Sequence, residues 1–220
     1  MFTVPIAFEN ESLVVVDKPV GISIHNTEDP INLIEILERQ FASSGKSSAK
    51  FYPVHRLDKE TSGLQIFARD EASARHFAES FQTRSVQKIY RAVMRGTLKQ
   101  DEGVWNFPIS DKSEGRTNPA GVTQDRVAAE THFRVTRRSK YLTECTLDLK
   151  TGRQHQIRKH AALAGHSLVG DPRYSDKKHN MRMAEIYGET RMFLHCERLE
   201  LEGFKFEAPV PESFSRLFDY

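Results

Sequence analysis

Apolar residues in this chain fall mostly into short runs and two-residue alternations, and that pattern constrains the fold more than any other feature. Leu13 to Val16 is a continuous apolar run of the kind that forms a buried strand. Leu64 to Arg69, Lys88 to Arg95, Thr131 to Thr136 and Tyr141 to Lys150 alternate as strands do, and Met192 to Leu201 and Phe204 to Ala208 close the chain as strands. Helical spacing is confined to three stretches. Pro30 to Phe41 places Ile34, Leu37 and Phe41 on one face, with Asp29 as the cap and Pro30 in the first turn. Glu71 to Phe81 does the same with Ala74, Phe77 and Phe81. Thr151-Gly152-Arg153-Gln154 resembles a capping box and predicts a helix running to the neighbourhood of Gly165. Strands outnumber helices and several have short connections. The expected fold class is therefore α+β, a mixed, largely antiparallel central sheet with flanking helices.

A length of 220 residues suits a single domain spanning residues 1–220. The chain is 38% hydrophobic and 28% charged, which argues against wholesale disorder, and 14 Phe can fill a core without disulfides or metals. Cys145 and Cys196 are far apart in apolar, strand-like stretches and read as reduced core residues. His155 and His160, five residues apart, fall on different faces of a helix, so no metal site is expected there. With no Gly-rich phosphate loop and no dinucleotide fingerprint, no cofactor is expected either. The start, Met1-Phe2-Thr3-Val4-Pro5-Ile6, lacks a signal-peptide pattern, and no apolar run is long enough to cross a bilayer, so the expectation is a cytoplasmic protein without a membrane partner. Ser43 to Ser48 and Ser110 to Asp125 read as loops.

Net charge is only +2, so its distribution matters more than its size. Arg84, Lys88, Arg91, Arg95 and Lys99 form a run without an acidic residue; Arg134, Arg137, Arg138 and Lys140 form a second cluster; Lys150, Arg153, Arg158 and Lys159 form a third. Such clusters suggest a polyanion footprint, against the alternative of a solvated, salt-bridged surface.

Three segments carry groups suited to chemistry. In Tyr52 to Leu64, Asp58 lies between Arg56 and Lys59 just before a strand. A carboxylate among cations stays ionised and can serve as a nucleophile or base; it can equally cap a turn. In Lys88 to Gly96, strand alternation puts Tyr90, Ala92 and Met94 on one face, where the Tyr90 ring either stacks on a base or is ordinary core. In Thr151 to His160, Arg153 and Arg158 point in different directions, one toward a site and one toward phosphate, or both simply decorate a basic helix surface.

Together these segments resemble the RluA family of pseudouridine synthases. The match rests on His55-Arg56-Leu57-Asp58 with Thr61-Ser62-Gly63-Leu64, Lys88-Ile89-Tyr90, Thr151-Gly152-Arg153 with His155-Gln156-Ile157-Arg158, Gly170-Asp171-Pro172 with Tyr174, and Leu194-His195. Asp17-Lys18-Pro19 with Gly21 also fits. The resemblance runs from Leu13 to Leu201 and departs where Arg126-Val127 replaces a Gly-Lys before Ala129-Glu130-Thr131. It implies the pseudouridine synthase fold with an active-site cleft across the sheet, and an isomerase that converts uridines of structured rRNA or tRNA. No S4-type RNA-binding domain is expected ahead of Leu13, which leaves target recognition to the catalytic domain. The implied agent is a monomer needing no metal, coenzyme or obligatory protein partner.

By that resemblance Asp58 is the catalytic carboxylate, Tyr90 stacks on the uracil and serves in proton removal at carbon 5, and Arg158 is the partner that keeps Asp58 ionised. Ile157 and Leu194 line the pocket, Arg56 fills the gap left by a flipped nucleotide, and His55 and Arg153 join the substrate-binding set. Two other readings stay open. One is a non-catalytic RNA-binding module on the same fold; the other is an Asp-dependent nucleoside hydrolase, which calls for a second carboxylate near Asp58 for which Glu60 is the only close choice.

Overall fold

The computed structural model describes residues 2–26, 28–46, 49–112 and 125–219. In chain order the elements are β1 (Ile6–Glu9), β2 (Leu13–Lys18), α1 (Leu33–Ser43), β3 (Tyr52–Pro53), β4 (Ser62–Ala68), α2 (Glu71–Gln82), β5 (Gln87–Arg95), β6 (Glu102–Trp105), β7 (Thr131–Arg138), β8 (Leu142–Leu149), α3 (Gln156–Leu163), α4 (Lys177–Tyr187), β9 (Leu194–Leu201), β10 (Phe204–Glu207) and α5 (Ser213–Arg216). The chain forms two compact units. The first comprises Met1–Gln87 with Cys196–Pro209, the second Lys88–His195 with Val210–Tyr220.

In the first unit β2 pairs antiparallel with both β1 and β4, in a register that sets Val15 opposite Ile66 and Lys18 opposite Gly63. All seven residues of β4 are buried, so the expected alternation gives way to a strand covered on both sides. On one side Val14, Val16 and Phe67 pack with Leu33, Ile36, Leu37 and Phe41 of α1. Helix α2 also packs on β4, through Phe77. Hairpin β9–β10 turns at Glu202-Gly203, both with positive φ (51° and 82°), as a two-residue primed turn requires.

Helix α1 starts later than the sequence pattern predicts. Its cap is Asn32, whose side chain accepts from Glu35 N at 3.1 Å, while Asp29 pairs with Lys59 Nζ at 2.6 Å. Tertiary acceptors set the start: the amides of Leu33 and Ile34 donate to the carbonyls of Ser23 and Ile24 at 2.9 and 3.3 Å, satisfying N–H groups that a helix cannot.

The second unit carries the antiparallel order β5-β8-β7-β6. One core cluster there joins Val93 and Leu142 to Val169, Met183 of α4, Phe193, and Phe214 and Leu217 at α5. The predicted capping box is absent. Helix α3 begins at Gln156 after His155 in the left-handed region (φ 55°), and the Thr151 hydroxyl instead donates to Gln156 Oε1 at 2.6 Å and accepts from Glu130 N at 3.0 Å. Strands β1, β3 and β6 and helices α4 and α5 were not legible in the apolar pattern. Of the two expected loops, residues 47–48 and 113–124 lie outside the described residues. Cys145 and Cys196 are both buried, and burial pushes the Cys145 thiol up to about 12.

Gly63 is the most tightly enclosed glycine in the first unit. Its φ is +107°, and a methyl group there would overlap the Cys196 carbonyl and come within 2.6 Å of the Cys196 amide nitrogen. Gly63→Ala is expected to destabilise the protein by about 3 kcal/mol, since both the dihedral and the contact oppose it. Thermal melts should show a fall of roughly 6–12 °C; an unchanged midpoint would refute the packing described for β4.

Candidate active site

The residues singled out in the sequence fall into two sets. Asp58, Arg56 and His55 belong to the first unit; Tyr90, Arg153, Ile157, Arg158 and Leu194 belong to the second.

In the first set, the loop that carries Asp58 is fastened from several directions. Lys18, wholly buried at the end of β2, donates from Nζ to the carbonyls of Pro19 and Ile22 (both 2.9 Å) and of Lys59 (3.2 Å). The Lys59 carbonyl also accepts from Gly21 N at 2.8 Å, so the residue after Asp58 is held twice. On the other flank the buried side chain of Gln65 donates to the His55 carbonyl at 2.8 Å and accepts from Leu57 N at 3.2 Å. His55 Nε2 accepts from Ile66 N at 3.0 Å, and its ring stacks on Phe81 with centroids 4.6 Å apart. Thr61 N closes a turn onto the Asp58 carbonyl at 3.0 Å. The outcome is a rigid loop with a half-buried Asp58 and an exposed Arg56. Arg56 has no ion pair or hydrogen bond among the described residues. His55, expected among the substrate contacts, serves here as an anchor of the loop.

In the second set, Tyr90 is buried on β5 opposite Leu147, and Ile157 and Leu194 are each 4% exposed. Arg158 is buried and forks onto Asp171, Nε to Oδ2 at 2.8 Å and Nη2 to Oδ1 at 2.9 Å, with its Cζ 5.4 Å from the Tyr174 ring centroid. Asp171 Oδ1 also accepts from the amides of Arg173 (2.8 Å) and Tyr174 (3.1 Å). Burial, the largest single influence, pushes the Asp171 carboxyl up, but Arg158 and these two amides more than offset it and hold it below the usual range. Arg158 is therefore not an unopposed cation: Asp171 already matches its charge. Arg153 sits ahead of α3, not on it, and pairs with Asp111 at 3.2 Å.

The expected alternative of a basic helix surface does not hold for α3, because every residue from Gln156 to Ala161 is buried. Lys159 donates to the carbonyls of Ser110 and Lys112, both at 2.8 Å, and to the Ser110 hydroxyl at 3.0 Å. His160 bridges the Thr131 hydroxyl and the Phe107 carbonyl, each at 3.0 Å, and burial pushes its imidazole below the ordinary value. His155 Nδ1 meets the Tyr174 hydroxyl at 3.0 Å. Sequence reasoning gave Lys18, Gln65 and Asp171 no role. Lys18 and Asp171 lie in recognisable motifs; the one signal at Gln65 is a polar residue inside an apolar strand.

Removing the Asp171 charge breaks the two-point ion pair of a buried guanidinium, so Asp171→Asn should cost about 3–5 kcal/mol at neutral pH. Because folded Asp171 ionises below the unfolded value near 3.8, its contribution is complete above that value and lost as pH falls through the lower, folded one. Urea unfolding across pH should show a constant gap between wild type and variant that closes in acid; a gap independent of pH would contradict the pairing.

Residues 12–163 match the family model described as RNA pseudouridylate synthase. The ribosomal large subunit pseudouridine synthase C of Pasteurella multocida is 34% identical over 201 residues, covering 90% of this chain and 60% of that protein. The ribosomal large subunit pseudouridine synthase D of Pseudomonas aeruginosa is 33% identical, covering 95% and 69%. An uncharacterized RNA pseudouridine synthase of Zymomonas mobilis is 31% identical, with 96% of each chain covered. The chain thus spans less than two thirds of the Pasteurella relative. The solved structure of human RNA pseudouridylate synthase domain containing 4 superposes with a TM-score of 0.80 over 97% of this chain and 93% of its own, at 24% identity, a likeness that speaks for the fold. The family match covers more than half of the chain, and the motifs around Asp58, Tyr90 and Arg158 fall inside it: the chain belongs to the RNA pseudouridylate synthase family.

Proposed function

We propose that this protein isomerises selected uridines of structured ribosomal or transfer RNA to pseudouridine, with Asp58 as the reacting carboxylate. The observation that carries this reading is the clamping of the Asp58 loop by Lys18, Gly21 and Gln65, six residues or fewer from β strands on either side. A carboxylate that must meet a sugar carbon at bonding distance gains from a backbone that cannot drift.

In this reading Asp58 acts on the nucleoside and the bond between uracil N1 and ribose C1′ breaks. The detached uracil turns and rejoins the same ribose carbon through C5, and the proton on C5 leaves while N1 gains one. Atoms and electrons balance without an oxidant, water or metal. Tyr90 stacks on the uracil and serves in the C5 proton transfer, and Ile157 and Leu194 supply apolar walls. Enclosing a carboxylate with a base disfavours its charge. Arg158 counters this less as a bare cation than as an oriented donor, since Asp171 fixes its fork.

Arg56 is the group suited to hold the gap in the stack, being an exposed guanidinium beside Asp58 with no ion pair or hydrogen bond among the described residues. Flipping a base costs a few kcal/mol, least in loops, so structured RNA loops are the favoured targets. The site of action is the cytoplasm and the working form a monomer. A non-catalytic binding module has no need of a rigid carboxylate loop.

Asp58→Asn should lower pseudouridine formation by about 10³-fold or more while RNA affinity stays, as read by primer-extension mapping and filter binding. Retained turnover in that variant ends the assignment. Arg56→Ala should raise KM on a base-paired hairpin by roughly tenfold and spare kcat. Equal KM values for the two proteins on that hairpin would remove the flipping role. Pseudouridine mapping of total RNA with and without the gene identifies the target.

A further inference from the structure

With 32 Lys and Arg against 30 Asp and Glu, nearly every cation of this protein can find a carboxylate. Most of the basic runs seen in the sequence do. Arg134 pairs with Glu102 (3.4 Å), Arg138 with Asp101 (2.7 Å), Arg137 with Glu144 (3.4 Å) and Lys150 with Asp148 (2.6 Å). Lys159 is turned inward onto carbonyls. Exposed cations of the second unit that form no ion pair among the described residues include Lys99, Lys112 and Arg126, and a group of five, Arg95, Lys140, Lys177, Lys178 and Arg182. Paired and unpaired cations thus occur within a single run: Arg91 and Arg138 have carboxylates, whereas Arg95 and Lys140 have none among the described residues.

The backbone brings these five to one end of the second unit. At the end of β5, Arg95 N donates to the Ser167 carbonyl at 3.0 Å and Gly96 N to the Tyr141 carbonyl at 2.7 Å. Thr97 Oγ1 reaches the Lys140 carbonyl at 3.3 Å. The Ser167 hydroxyl meets that of Ser175 at 3.2 Å, one residue before the Asp176 cap of α4. Helix α4 then carries Lys177, Lys178 and Arg182. The charges sense one another. The Asp176 carboxyl is held below its usual range first by the His179 amide, with Arg95 and Lys178 adding to it. Burial lowers the His179 imidazole, and Arg95 and Arg182 lower it further. Asp176 is occupied as the helix cap, and Glu185 follows only a turn beyond Arg182, so the cations prevail. Beside them Tyr141 is 63% exposed, with Lys140 Nζ 5.2 Å from its ring centroid.

Unneutralised cations beside an exposed aromatic ring are the elements of a single-stranded nucleic-acid platform. We propose that this end of the second unit is an RNA-docking surface apart from the uridine pocket, in which Arg95, Lys140, Lys177, Lys178 and Arg182 hold phosphates and Tyr141 stacks on an unpaired base. Arg95 lies five residues beyond Tyr90 on β5, about 17 Å along the strand, so the surface grips RNA flanking the modified nucleotide. The proposal rests on the reading of the protein as an RNA-modifying enzyme. It gives that enzyme a recognition element within its catalytic fold.

The test uses the full chain with a fluorescein-labelled RNA stem-loop and a matching blunt duplex. The triple variant Lys177→Ala, Lys178→Ala, Arg182→Ala should raise Kd for the stem-loop about tenfold and reduce the slope of log Kd against log salt by about 2 to 3. On RNA substrate its KM should rise while kcat at saturation stays. Tyr141→Ala should weaken the stem-loop by about tenfold and leave the duplex unchanged. A control triple removing the ion-paired Arg39, Arg75 and Lys205 should bind as wild type does. In wild type, Lys177 and Lys178 should resist acetylation when the stem-loop is bound. Unchanged affinity and slope in the first triple, or an equal loss in the control, overturns the proposal. Absence of pseudouridine from wild-type reactions would instead strike the functional reading, which the binding measurements do not share.

Discussion

The Asp58 loop depends on a buried ammonium group. Taking a lysine out of water is costly unless its donors are met, and Lys18 meets them with three main-chain carbonyls from two segments far apart in sequence. The cost of burial thereby becomes a geometric constraint, because the ammonium is satisfied only when Pro19, Ile22 and Lys59 keep their places. Gln65 applies the same logic with a neutral group from the next strand. The position of the Asp58 main chain is thus set by polar groups that cannot afford to let go, with apolar packing from α1 beneath.

Helix α3 extends that principle to the second unit. Six consecutive buried residues, four of them polar, make a helix that owes little to amphipathic patterning. Each long side chain has its own partner: Gln156 donates to the Glu130 carbonyl, Arg158 to Asp171 and Lys159 to Ser110 and Lys112, while His160 bridges the Phe107 carbonyl and the Thr131 hydroxyl. The helix is a hub into which loops plug, and Arg158 is oriented by its two-point contact with Asp171. His155, in a left-handed conformation that bulky residues resist, sets the helix's entry, and its ring is tied to Tyr174.

Neutralised and unneutralised charge divide the work. Paired cations on β5 and β7 maintain the sheet surface, and buried ones organise loops. Among the cations without an ion pair among the described residues, Arg56 on the Asp58 loop and the group around α4 are where the proposals above place an incoming polyanion.

Much of this was legible in the sequence. Alternation located β5, β7 and β8, whose sides pack differently, and the order of the motifs around Asp58, Tyr90 and Arg158 identified the family. Short strands such as β1 and β6 carry too few residues to show a period, and α4 has too few apolar positions. By itself the sequence determined which residue types stand at which separations along the chain, and hence the α+β class and the family. The tertiary structure alone decided which charges are matched. An ion pair such as Arg158 with Asp171, or a clamp such as Lys18 on Lys59, joins residues by distance in space. Coulomb and hydrogen-bond energies fall off over a few ångströms that no spacing along the chain encodes.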